Sequence, residues 1–308
     1  MADAIIPVDL RNPGQVFACL GLMEAAEILI GPAEGAYHWS GRETRVTFRL
    51  SVDGPADPVL EVLRFLSKAE VKALVPPAST LDTDKWNLQT VHMADLPPLL
   101  QQENNAFSCP MPKSTDICPV VLEGVGNKAI LISHWADASH RDTMKFWGGS
   151  GGMPGATITE RTLKLVAELG DNALAEAARD PFALSAPQSS SFRFDWRRDY
   201  TALDVGFSPN EHKKSIRMVG YPLVELLAAI GLEHARPQRP DPRDKLSYRY
   251  AVSNARLPTM LARAVLGGRP VDGRIMGLPV RHFAMRLGWP GQEGQARCIL
   301  DAQEESFR

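Results

Sequence analysis

Between Asn12 and Pro32 the chain spells a helix with almost no polar face. Asn12 is a favoured N-cap, Pro13 suits the first helical position, and Gln15 at N3 can reach back to the cap amide. The predicted helix runs to about Leu29 and stops at Gly31-Pro32. From Val16 to Ile30 only Glu24 and Glu27 carry charge, so the helix must be buried nearly all round. With 308 residues, 44% apolar and 23% charged, the chain can build such a core without disulfides or metals. No run of about 20 apolar residues reads as a membrane span. The start, Met1-Ala-Asp-Ala, has no Lys or Arg cluster, and no cleavage pattern follows, so a cytoplasmic protein is expected.

The remaining pattern mixes helices with short strand pairs. Residues 4–10 alternate weakly and predict a strand; 37–39 and 45–52 predict a hairpin. Residues 57–74 predict an amphipathic helix ended by Pro76-Pro77, and 97–119 a long loop rich in Pro, Asn, Ser and Gln. Strands at 120–122 and 129–133 pair around Gly124 and Gly126. Thr157-x-x-Glu160 reads as a capping box opening a helix to about Leu169, with a second short helix to Arg179. Residues 191–196 can form a strand. A helix over 222–230 starts at a proline and ends at Gly231. Strands are predicted at 246–252, 274–287 and 297–302, with a helix at 258–266. The expected class is α+β, with mixed helices and antiparallel strand pairs. A linker at 187–191 divides the chain into two closely packed lobes, 1–187 and a basic 188–308.

Charge is uneven although the formal net value is only −2. Residues 1–140 hold 10 Lys and Arg against 17 Asp and Glu, whereas 193–286 hold 17 against 9. Such a chain suits a protein with one face on a nucleic acid and another on protein neighbours, provided the halves map to faces.

Three segments could carry chemistry. His134-Trp-Ala-Asp137-Ala-Ser-His140 offers metal-type ligands, but a spacing of six does not put both imidazoles on one helical face. The four cysteines form no C-x-x-C pair, so neither a zinc site nor a cofactor is expected. Lys145-Phe-Trp147-Gly148-Gly149-Ser150-Gly-Gly is glycine-rich, and exposed amides there can hold phosphate. It lacks the spacing of a P-loop or dinucleotide fingerprint; Gly148-x-Ser150-x-Gly152 does match a hydrolase nucleophile elbow, with Pro154-Gly155 delaying the helix an elbow needs. Arg197, Arg198, Lys213, Lys214 and Arg217 stand near Phe192, Phe194, Trp196 and Tyr200. Charge with rings suits single-stranded nucleic acid, and the alternation of the rings equally suits a core face.

Several blocks then resemble one family. Asn12-Pro-Gly-Gln-Val-Phe-Ala-Cys-Leu-Gly-Leu-Met-Glu24, Lys145-Phe-Trp-Gly148, Phe192-Arg-Phe-Asp195, Ala202-Leu-Asp-Val-Gly-Phe-Ser-Pro209, Tyr221-Pro-Leu-Val-Glu-Leu-Leu-Ala-Ala-Ile-Gly-Leu232 and Arg236-Pro237 together look like the large-subunit (Cas8-like) family of the type I-G (I-U) CRISPR Cascade complex. After Lys145-Phe-Trp-Gly148 the family carries Gln residues where this chain has Gly149-Ser150-Gly151-Gly152, which leaves phosphate rather than base contact for that loop. The resemblance implies a non-catalytic subunit that reads a protospacer-adjacent motif, helps open target double-stranded DNA and recruits a helicase-nuclease transiently. Its partners would be other Cascade subunits and crRNA, whose pairing reads the sequence. A backbone or crRNA-binding subunit of the same complex, and a hydrolase using Ser150 or the His134/His140 pair, are the alternatives.

Overall fold

A computed structural model describes residues 1–75, 89–92, 119–126, 128–133, 155–188, 190–199, 218–267, 277–289 and 297–305. The first six elements are β1 (Ala2–Asp9), α1 (Pro13–Leu29), β2 (Ala33–His38), β3 (Arg45–Val52), α2 (Pro58–Lys68) and β4 (Glu70–Val75). This is the order of the ferredoxin-like, split β-α-β motif. β1, β3 and β2 are antiparallel neighbours in that order, and β11 (Leu257–Pro258) extends the sheet beyond β2. In the usual form of the motif the fourth strand lies beside the first. Here β4 joins a second sheet, between β5 (Gln89–His92) and β6 (Val120–Glu123), with β7 (Ala129–Ile132) at its far edge. No strand among the described residues pairs with the outer edge of β1.

A third, antiparallel sheet runs β10 (Ser247–Ser253), β12 (Val280–Gly288), β13 (Cys298–Glu305), and a short ladder joins β8 (Ala186–Pro187) to β9 (Val219–Gly220). The remaining helices are α3 (Gly155–Ala167), α4 (Asp171–Ala177), α5 (Pro222–Gly231) and α6 (Thr259–Gly267). The fold is α+β.

α1 is buried at 15 of its 17 residues, so it is a central helix rather than an amphipathic cover. Its nearest companion is α5, and two glycines set how close they come. A Cβ on Gly21 would lie 1.8 Å from the Leu227 carbonyl oxygen, and one on Gly231 would lie 2.2 Å from that of Phe17. The relation is reciprocal: Phe17 and Gly21 on one helix face Leu227 and Gly231 on the other, each pair spaced by four. One apolar core contains Ile6, Leu22, Leu66, Phe182, Leu227 and Ala302, from both sides of residue 187. The Tyr250 hydroxyl on β10 donates to the Leu10 carbonyl (2.6 Å), and its ring meets Phe17 edge-on.

Several local expectations are corrected. The helix predicted over 57–74 ends at Lys68; Ala69 is extended, and β4 follows. Val71 and Leu74 fit either period, and pairing with β6 decides for a strand. The Asp57 carboxylate caps this helix at the amides of Val59 and Leu60 (2.9 and 3.1 Å). At α1 the capping box does not form. Gln15 Oε1 accepts from the Asp9 amide at 2.7 Å, and Asn12 Nδ2 donates to Asp195 instead. α3 begins at Gly155, so Thr157 is an interior, buried residue rather than a cap. Residues 191–196 are not a strand; Arg193 takes φ 65°, and a 3₁₀ turn covers Trp196–Asp199. The 187–191 segment is packed: Gln188, Ser190 and Ser191 are buried, and the Gln188 amide donates to the Met218 carbonyl (2.8 Å).

Candidate functional site

Polar residues from three distant blocks meet beside the start of α1. Asn12 Nδ2 donates to Asp195 Oδ1 at 2.9 Å across 183 positions of sequence. Asp195 is fully buried and holds Arg197, whose Nε and Nη2 both donate to its carboxylate. The same Nη2 donates to the Phe182 carbonyl (2.8 Å), and the guanidinium lies 3.4 Å from the centre of the Tyr221 ring. Glu225, on α5, accepts from the amides of Asp195 (3.1 Å) and Phe194 (3.4 Å). Gly14 lets the backbone of Phe194 approach, because a Cβ there would lie 2.6 Å from its carbonyl oxygen. Burial pushes the Glu225 carboxyl up to about 7, helped by the charge of Asp195 and opposed by the amide hydrogen bonds.

Among the predicted site residues, Lys145, Trp147, Gly148, Gly149, Ser150, Lys213, Lys214 and Arg217 lie outside the described residues, as do His134, Asp137 and His140. Arg198 is only 7% exposed, and Arg197 turns inward to Asp195. Phe192 and Phe194 are buried and stacked on each other, with centroids 5.5 Å apart. Of the two readings the alternation allowed, the core face is the one these two rings take. Sequence reading passed over Asn12, Asp195, Tyr221 and Glu225 as site residues. The available signal was Glu225, a carboxylate inside an α5 that is otherwise apolar throughout.

Arg197 also borders an open groove of about 530 Å³. One wall is the end of β1, at Pro7, Val8 and Asp9; the other is the Asp180–Ala183 turn with Arg197. His38, Glu43 and Arg45, around the β2–β3 turn, add polar groups, while buried Val8, Val46 and Phe182 give it an apolar floor. Glu43 is held down at about 2, first by the Ser40 amide and then by other local hydrogen bonds, so it is a fixed anion here. Among the described residues no group of three or more His, Cys, Asp or Glu side chains could hold a metal ion.

No family model, no curated protein and no solved structure matches this chain. The fold and the site define an α+β protein with a buried polar knot beside its central helix pair and a charged groove at one sheet edge. No helix among the described residues is long and apolar enough to cross a membrane.

Proposed function

We propose that the chain is a non-catalytic, cytoplasmic subunit of a type I-G (I-U) crRNA-guided surveillance complex, one that contacts target DNA beside the protospacer. It would read the flanking motif, aid R-loop formation and recruit the helicase-nuclease, while the guide reads sequence by pairing. The observation that supports this reading is that three of the resembling blocks form one packed unit. Asn12 bonds Asp195, Gly14 seats Phe194, Gly21 seats Leu227, and Glu225 receives the amides of Phe194 and Asp195. A chance likeness in three stretches up to 200 residues apart has no reason to converge in space; a shared fold does. The polar residues of these blocks then serve the fold, and phosphate contact falls to Lys145, the Gly148–Ser150 loop, Lys213, Lys214 and Arg217.

A second reading, a backbone subunit gripping crRNA, draws on the split β-α-β order, which RNA-binding sheets often share. Against it, the outward face of β1, β3 and β2 carries residues such as Ile5, Arg49 and Ala36 and no Phe, Tyr or Trp on which a base could stack.

The test is recovery of the tagged chain from cells that carry its neighbouring genes, followed by sequencing of the bound RNA. Repeat-derived guides with companion subunits are expected. A lone protein without RNA would end this reading and turn attention to covalent labelling of Ser150 and metal content at His134 and His140.

A further inference from the structure

The edge of β1 is open in a specific way. Leu10 donates its amide to Thr44 of the neighbouring strand at 2.7 Å, whereas Asp9 donates its amide to the Gln15 side chain. Backbone groups therefore point toward β3 at even positions and away from it at odd ones. The Asp9 carbonyl is taken by the Asn12 amide (2.9 Å). The amides of Asp3 and Ile5, and the carbonyls of Asp3, Ile5 and Pro7, have no hydrogen-bond partner among the described residues. Ile5 itself is 63% exposed. This row occupies the place where the motif usually puts its fourth strand, and the groove of Pro7, Val8 and Asp9 continues it.

We propose that the β1 edge and its groove bind an extended segment of another protein, which adds to the sheet as an antiparallel or parallel strand. Unspent main-chain donors and acceptors in a row are what a β-strand recognises. The apolar floor at Val8, Val46 and Phe182 takes alternate side chains of the guest. The rim takes polar ones of either sign, since Asp9, Glu43 and Asp180 stand there with Arg45, Arg197 and His38. That same mixture disfavours a nucleic-acid strand, because three carboxylates would face its phosphates. A second copy of this chain is a poorer guest. Two β1 strands paired antiparallel about Ile5 would set each Asp3 opposite a Pro7, and proline has no amide to give the Asp3 carbonyl. Self-pairing thus leaves two unsatisfied carbonyls. The surveillance-complex reading supplies only the source of the guest, a neighbouring subunit; the docking mode rests on the fold.

Two measurements separate these ideas. The first is hydrogen exchange at the Asp3 and Ile5 amides, in the chain alone and in the complex recovered with its neighbours, beside an Ile5→Pro variant. That substitution removes an amide the sheet does not use, at an edge where proline is tolerated. Exchange at Ile5 should slow at least tenfold in the complex, and Ile5→Pro should lose the partner while the free chain melts as before. The second is selection of phage-displayed decapeptides on the free chain, which needs no complex; binders should lose at least tenfold in affinity on Ile5→Pro. Equal exchange with and without partners, or a complex indifferent to Ile5→Pro, overturns the proposal and leaves the complex standing. Protection in the free chain overturns it too, assigning the edge to a second copy if it fades on dilution and to the chain itself if it does not. Protection by oligothymidylate alone overturns it in favour of nucleic acid. If no complex is recovered, the functional reading fails and the peptide selection still decides the groove.

Discussion

Glu225 shows at the scale of one residue what a carboxylate costs inside a core. It is fully buried, and burial raises its carboxyl to about 7, against 4.5 for an ordinary glutamate. Between those values the folded chain keeps a proton that the unfolded chain releases, so stability falls as pH rises from about 4.5 to 7 and levels off above. Glu225→Gln removes that dependence while its side-chain oxygen still accepts the Asp195 amide. Urea unfolding at pH 5 and pH 8 should show the wild type losing up to about 3 kcal/mol that the variant keeps. An unchanged pH dependence in Glu225→Gln would mean that another group governs it. Glu24 on α1 poses the same problem with a different answer. Burial raises its carboxyl as well, and the Arg263 guanidinium, paired with both of its oxygens, works against that. A sequence marks both glutamates as odd members of apolar helices, but it cannot say which has a cation and which has only amides.

Among the elements, helices were legible where proline and glycine frame them. α1 and α5 fall within a residue or two of their predicted spans, since Pro13 and Pro222 open them and chain-turning residues close them. α2 was overrun because no breaker separates it from β4; only pairing with β6 ends the helix at Lys68. The Gln15 cap failed for a related reason, since its partner, Asp9, belongs to the tertiary fold. The glycines of α1 and α5 read in sequence as interruptions of apolar runs, and only the crossing shows why they are needed. At that crossing a methyl group has no room. Gly21→Ala and Gly231→Ala should each cost about 2–4 kcal/mol, more than the gain in helix propensity of about 1 kcal/mol. Because both act by prising the same pair of helices apart, the double variant should lose less than the sum. Denaturant melts of the three variants check this; a stabilised Gly21→Ala would show that the helices sit farther apart than described.

For the molecule as a whole, the charge asymmetry along the chain is partly spent within the fold. Residues 1–187 carry a formal charge of −8 and 188–308 one of +6. Arg256 pairs with Glu34, Arg263 with Glu24, and Arg281 donates to the Glu43 carbonyl, so basic residues of the second part bind the first. Composition could reveal the imbalance but not that it faces inward at these points. The apolar core crosses residue 187 in the same way, through α1 against α5 and Phe17 against Tyr250. Either part alone would expose a helix that is apolar nearly all round, with no polar face to offer water. The full chain should therefore unfold in one transition, with far-ultraviolet and aromatic signals coinciding. Fragments 1–187 and 188–308, made separately, should each lack a cooperative melt. Mixed, they should recover the near-ultraviolet signal of the tyrosine and phenylalanine contacts, and do so faster at low salt than at high, because opposite net charges steer them together. A cooperative melt from either fragment alone would show that the two parts fold independently and that their shared core is an interface between lobes.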